Sequence, residues 1–100
     1  MKNFTVGFVY TIKLNSGEEL VAKVTDIFDD EIAISDPLSI AQGPKGMTLI
    51  PSMFTVDPSK EIRLNTNSIS LYGYSEDNVK DQYISMTTGI ALPDKKIILG

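Results

Sequence analysis

Tyr10-Thr11-Ile12-Lys13-Leu14-Asn15-Ser16-Gly17-Glu18-Glu19-Leu20-Val21-Ala22-Lys23-Val24 is the stretch that decides how this chain folds. Apolar residues recur at every second position on either side of Asn15-Ser16-Gly17-Glu18. That period of two puts successive side chains on opposite faces of a strand, so the stretch predicts two half-buried strands. Gly17 supplies the positive φ that a tight hairpin needs.

The alternation extends outward in both directions. Upstream it reaches Phe4, so that Phe4, Val6, Phe8, Tyr10, Ile12 and Leu14 share one face and Gly7 marks a bulge or bend. Downstream, Leu20, Ala22, Val24 and Phe28 alternate against Lys23 and Thr25, giving a second strand over 19–28. Asp29-Asp30 makes another tight turn, and a third strand runs over 31–35, ended or edged by Asp36-Pro37. Three consecutive strands with short turns form an antiparallel meander.

Beyond it, residues 37–60 read as a middle insertion whose strand pairing the sequence leaves open. Gln42-Gly43-Pro44-Lys45-Gly46 has the composition of an exposed loop. The run from Met47 to Val56 is apolar but holds Pro51, so it reads as an edge strand or two short pieces. Asp57-Pro58-Ser59-Lys60 is a turn, and short strands at 62–64 and 68–72 flank Asn65-Thr66-Asn67. The period then changes. Val79, Tyr83, Met86 and Ile90 recur at helical spacing, Ser75 suits an N-cap and Gly89 a stop, which predicts a C-terminal helix over 75–89. Ile97-Ile98-Leu99 reads as a frayed end or a short docked strand.

One hundred residues make one domain, 1–100, and a chain this short gains from self-association. Cysteine and histidine are both absent, which removes disulfides, thiolate nucleophiles, the usual neutral-pH base and the usual transition-metal ligand. No constellation of the remaining hydroxyl and carboxylate residues reads as a catalytic centre, so the expectation is a protein without enzymatic activity, cofactor or metal. Thirteen acids outweigh nine scattered bases, for a net charge of -4, which runs against a strong non-specific nucleic-acid binder. No apolar run approaches the ~20 residues of a membrane span. Met1 to Gly7 is too polar for a signal peptide, so the expected location is the cytoplasm.

The run Tyr10 to Val24 is similar to the first motif of Sm and Sm-like proteins, with Leu14, Gly17, Ala22 and Val24 at the positions of that pattern and Ala22 in place of its usual Gly. Ile62 to Ile69 resembles the second motif, a strand, tight turn and strand. The resemblance is nearest to the small Sm-like proteins of marine cyanophages and T4-type phages, carried by Leu14 to Val24, by Asp36-Pro37 and by Tyr83 to Leu92. It implies a mostly β fold: a strongly bent antiparallel sheet or small open barrel of about five strands, here with a C-terminal helix. It also implies a ring of identical subunits in the cytoplasm of a bacterial host, binding single-stranded RNA as a phage or host regulator. The chain departs from the RNA-binding pattern at the second turn, Asp29-Asp30-Glu31, and at Asn65-Thr66-Asn67, which carries no basic residue.

Two functional readings stand. In the first, Arg63, Asn65, Thr66 and Asn67 line a pore and bind RNA through amides and one cation. In the second, the scaffold has no nucleic-acid role and joins proteins through an exposed apolar patch over 47–56 or the C-terminal tail; Met53, Phe54, Leu71 and Tyr72 are the residues expected in an interface. Tyr72 and Tyr74 suit packing under the helix or in a subunit seam better than base stacking. The acids Asp26, Asp29, Asp30 and Glu31 lack the spacing of a calcium loop.

Overall fold

The computed structural model describes residues 3–57 and 59–88. The decisive hairpin forms as expected. Strand β1 spans Val9–Leu14 and β2 spans Glu19–Ile27, paired antiparallel with Ile12 opposite Leu20 and Tyr10 opposite Ala22. Gly17 has φ +96° at the turn. Strand β3, Glu31–Gly43, pairs with β2 and continues into a hairpin with β4, Gly46–Pro51. Strand β5, Ile62–Asn65, lies against the first half of β3, with Leu64 opposite Ile32. A 3-10 turn over Thr66–Ser68 then leads into β6, Ile69–Tyr74, which pairs with the far side of β1. The order across the sheet is β4-β3-β2-β1-β6, with β5 also on β3. Six antiparallel strands thus make one bent open sheet, consistent with the small Sm-like open barrel implied by the resemblance. Helix α1, Asp77–Thr87, follows.

The curvature has a local cause in β-bulges, where one strand carries an extra residue and the twist increases. On β2–β3, Val21 faces Leu38 and Lys23 faces Ser35, so Asp36 and Pro37 together oppose Ala22. Further along, Thr25 is the extra residue on β2, and Ser70 is the extra residue on β6 opposite β1.

The first of these bulges corrects the expected third strand. Asp36-Pro37 does not end β3 at Ser35. Asp36 adopts φ 47°, the strand bends, and it runs on to Gly43. A bulge is one of the few places in a ladder that tolerates proline. Residues 37–51 of the middle insertion are therefore sheet: Pro44-Lys45 is a two-residue hairpin tip, and β4 is one strand ending at Pro51. The chain's first strand is shorter than the alternation suggested. Val6-Gly7 turns, with Gly7 at φ +94°, and Phe4 folds back to stack on Tyr72, ring centroids 4.4 Å apart.

Two apolar clusters form, one on each face of the sheet. Tyr10, Ile12, Leu20, Ala22, Val24, Ile32, Ile34 and Ile69 fill one side, joined by Phe4. Val9, Val21, Leu38 and Leu49 point the other way and meet Tyr83 of α1, with Val79 and Met86 beside it. Strand β2 is buried on both faces over Leu20–Ala22, where Val21 points to the helix side and is fully buried; such a side chain contributes about 1.5–3 kcal/mol.

The helix starts two residues later than expected. Its N-cap is Glu76, with no side-chain capping bond, because the Ser75 hydroxyl is 2.8 Å from that of Thr11 instead. Gly89, Ile90 and the expected terminal strand over 97–99 lie outside the described residues.

Candidate functional site

Arg63, Asn65, Thr66 and Asn67 do come together, at the corner where β5 passes into β6. The local hydrogen bonding explains the corner. Asn65 Oδ1 accepts from the Asn67 N–H at 2.9 Å, and the Ser68 hydroxyl donates to the Asn65 carbonyl at 2.6 Å. Thr66 donates to the Asp30 carbonyl through both its N–H and its hydroxyl, at 2.9 and 3.1 Å. Asn15 Nδ2 donates to the Asn67 carbonyl at 2.8 Å. The corner therefore ties down the turns on either side of β2. Asn65 and Thr66 are committed to that task. The Asn67 side chain is exposed and makes no hydrogen bond among the described residues.

Arg63 is also committed. Its Nε donates to Glu61 Oε1 at 2.6 Å and its Nη1 to Glu31 Oε1 at 2.9 Å, while the guanidinium carbon lies 3.8 Å from the centroid of the Phe28 ring. Hydrogen bonds to Glu61 first, and then to Glu31, hold its pKa above its already high usual value. The cation is fixed and neutralised by two carboxylates, one of them across the ladder on β3. Beside it, Thr66 and Asn67 share a hollow of about 680 Å³ with Asp29 and Asp30. The surroundings of the corner are anionic. Among the described residues no group of three or more acids is arranged to hold a metal ion.

Of the residues expected at an interface, Phe54 is 80% exposed and Leu71 66% exposed, and Met53 is exposed as well. Tyr72 is not. Its ring packs against Phe4 and its hydroxyl accepts from the Asn3 N–H at 2.8 Å, so it is engaged within the chain. Tyr74 is 63% exposed and stacks on Tyr10, centroids 5.0 Å apart. Of the large apolar side chains left outside, six fall on the edge strands β4 and β6 and the loop after β4, while Val6, Phe8, Ile27, Phe28 and Ile84 lie elsewhere. Met47 (72% exposed) and Ile50 lie on β4, Leu71 and Tyr74 on β6, and Met53 and Phe54 just past β4.

A second concavity went unnoticed in the sequence. Between α1 and the sheet lies a half-open groove of about 640 Å³, lined by Phe8, Tyr74, Lys23, Lys80, Asp36 and Asp77 among others. Its residues come from four separated stretches, around 7–9, 23, 35–36 and 74–88, so no spacing along the chain announces it. At its floor the buried Tyr83 hydroxyl donates to the Ser35 carbonyl at 2.5 Å and accepts from the Lys23 N–H at 3.1 Å. Burial raises the phenol's pKa above the usual value.

No family model matches the chain, and no curated protein matches it. Among the described residues, no helix is long and apolar enough to cross a membrane.

Proposed function

We propose that this chain is a self-assembling adaptor on an Sm-like scaffold, which forms a homo-oligomer through the sheet edges at β4 and β6 and holds a protein partner on the loop after β4. The observation that carries this reading is the pair of edges. Among the described residues β4 has β3 on one side only and β6 has β1 on one side only; β5 likewise pairs with β3 alone but is shorter. Strands β4 and β6 each present exposed large apolar side chains, Met47 and Ile50 on one and Leu71 and Tyr74 on the other. An uncovered edge with apolar side chains is a template for another strand. Two different edges on one subunit make a head-to-tail contact, which closes into a ring when the rotation permits. The loop beyond β4, with Met53 and Phe54 outside, adds the exposed apolar surface on which a partner protein docks.

The test is the mass of the purified chain by light scattering across micromolar concentrations. A stable multiple of 11.0 kDa supports the reading. A monomer throughout overturns it.

Single-stranded RNA bound in the ring's pore, in the service of phage or host regulation, is the second reading. It is supported by the motif resemblance and by the free, exposed amide of Asn67. It ranks second because the one cation at the corner is paired twice and Asp29 and Asp30 stand beside it, whereas phosphate binding draws its strength from uncompensated positive charge. Titration of labelled oligoadenylate and oligouridylate at low and moderate salt decides between the two.

A further inference from the structure

The groove beneath α1 has a composition that the edge-assembly reading does not use. Phe8 and Tyr74 lie side by side on one wall, ring centroids 5.4 Å apart. Both are exposed, and Tyr74 is backed by its stack on Tyr10, so the pair offers aromatic surface already held in place. Lys23 of β2 and Lys80 of α1 both line the groove, so a lysine comes from each of the two elements that form it. Asp36 on β3 and Asp77 on α1 complete it. Among the described residues none of these four charges forms a salt bridge; both ion pairs present belong to Arg63.

We propose that this groove binds a nucleoside phosphate, either free or as one unit of a single strand. The base stacks on one of the two rings, which are tilted 50° to each other, with the second at its edge; stacking is an interaction that every base's π-face can make. The phosphate takes charge-assisted hydrogen bonds from Lys23 and Lys80. A carboxylate, Asp36 or Asp77, accepts from the ribose hydroxyls, the role acidic residues play in other nucleotide sites. A bare anion fits less well, because two aspartates offset the two lysines and only a ligand with an aromatic body gains from the ring pair. The volume lies within the range of small-molecule sites. The groove stands at the opposite end of β6 from the Asn65–Asn67 corner, so it is separate from the pore of the RNA reading.

The proposal is independent of oligomeric state and is tested on the full chain. Adenosine monophosphate, a short oligoadenylate and inorganic phosphate are each titrated, read by calorimetry and by amide NMR shifts. The expected result is binding of the mononucleotide with shifts at Phe8, Lys23, Tyr74 and Lys80, and no competition from inorganic phosphate at equal concentration. Lys80→Glu, an exposed helix position, weakens it about tenfold or more; Tyr74→Ser does likewise, with the urea midpoint of each variant showing that it is folded. Oligoadenylate binding with the same shifts, where the mononucleotide is weak, assigns the unit to a strand. Failure of both ligands at millimolar concentration, affinity unchanged in Lys80→Glu, shifts confined to residues 65–67, or equal competition by phosphate each overturns the proposal.

Discussion

Tyr83 on α1 donates its hydroxyl hydrogen to the carbonyl of Ser35 on β3, and the same oxygen accepts the N–H of Lys23 on β2. Lys23 and Ser35 are ladder partners at the edge of the Asp36-Pro37 bulge. A single phenol thus satisfies both backbone groups where the two strands separate, and fixes the helix to the sheet at that point. Tyr83→Phe keeps the ring packing and removes this bridge, leaving a donor and an acceptor without their partner. The expected cost is about 1–3 kcal/mol, read as a lower urea midpoint at unchanged slope. A midpoint equal to that of the parent would show that water replaces the hydroxyl at no cost.

The same phenol gives stability a pH dependence of known sign. Burial is the main cause that raises its folded pKa above the ordinary value of 10.0; the hydrogen bonds to Ser35 and Lys23 work the other way. The folded state therefore holds the proton more tightly than the unfolded chain. This contribution is fully present below the unfolded pKa and is lost as pH rises from there through the folded pKa. Stability of the parent falls above about pH 10 more steeply than that of Tyr83→Phe. Parallel curves for the two proteins over that window remove the assignment.

Asp36 holds φ 47°, a region that side chains other than glycine enter at a cost. The bulge demands it, since Asp36 and Pro37 must fit opposite Ala22 alone. Asp36→Val adds a β-branched side chain there and should lose about 1–3 kcal/mol. Asp36→Gly removes the strain and should match or exceed the parent despite its freer unfolded chain. Thermal midpoints in the order Gly, Asp, Val test this. If Val equals Asp, the bend at β3 is set elsewhere.

These positions also show what was legible in the sequence and what was not. The hairpin from Tyr10 to Val24 was readable because its signal is local: a period of two on each side of a glycine turn. The Val79, Tyr83 and Met86 stripe was readable for the same reason, and all three do pack on one face. Asp36-Pro37 misled because the same two residues suit either a strand end or a bulge, and only the position of Ala22 on another strand decides between them. Val6 and Phe8 misled because Gly7 turns the chain and breaks the alternation they belong to. The corner at 65–67 was legible as a turn. The pairing of Arg63 with Glu31 was not, since it spans 32 residues of separation. The groove beneath α1 was invisible for the same reason.

Arg63 acts on stability more than on any ligand at the corner. It joins β5 to β3 through Glu31 and covers Phe28. Arg63→Ala should lower the urea midpoint at low salt, by an amount that shrinks as added salt screens the exposed pairs in the parent. Any RNA affinity should keep its salt slope. A slope reduced by about one in the variant would instead make Arg63 a phosphate contact and raise the RNA reading to first place.

Edge pairing and partner binding separate cleanly by substitution. Leu71 stands 66% exposed on the open side of the fold, so Leu71→Lys costs the single chain little. Within an assembled edge the same change buries an ammonium between strands, the device by which natural sheets keep their edges apart. Leu71→Lys should therefore reduce the scattering mass to 11.0 kDa while leaving the urea midpoint, extrapolated to low protein concentration, close to that of the parent. Phe54 lies past the end of β4 and outside both edges. Phe54→Ser should leave the oligomeric mass intact and remove the apolar surface offered to a partner, read as loss of binding by a hydrophobic dye. A full-size oligomer from Leu71→Lys would move the contact off β6. Dissociation by Phe54→Ser would instead place the loop after β4 inside the subunit seam.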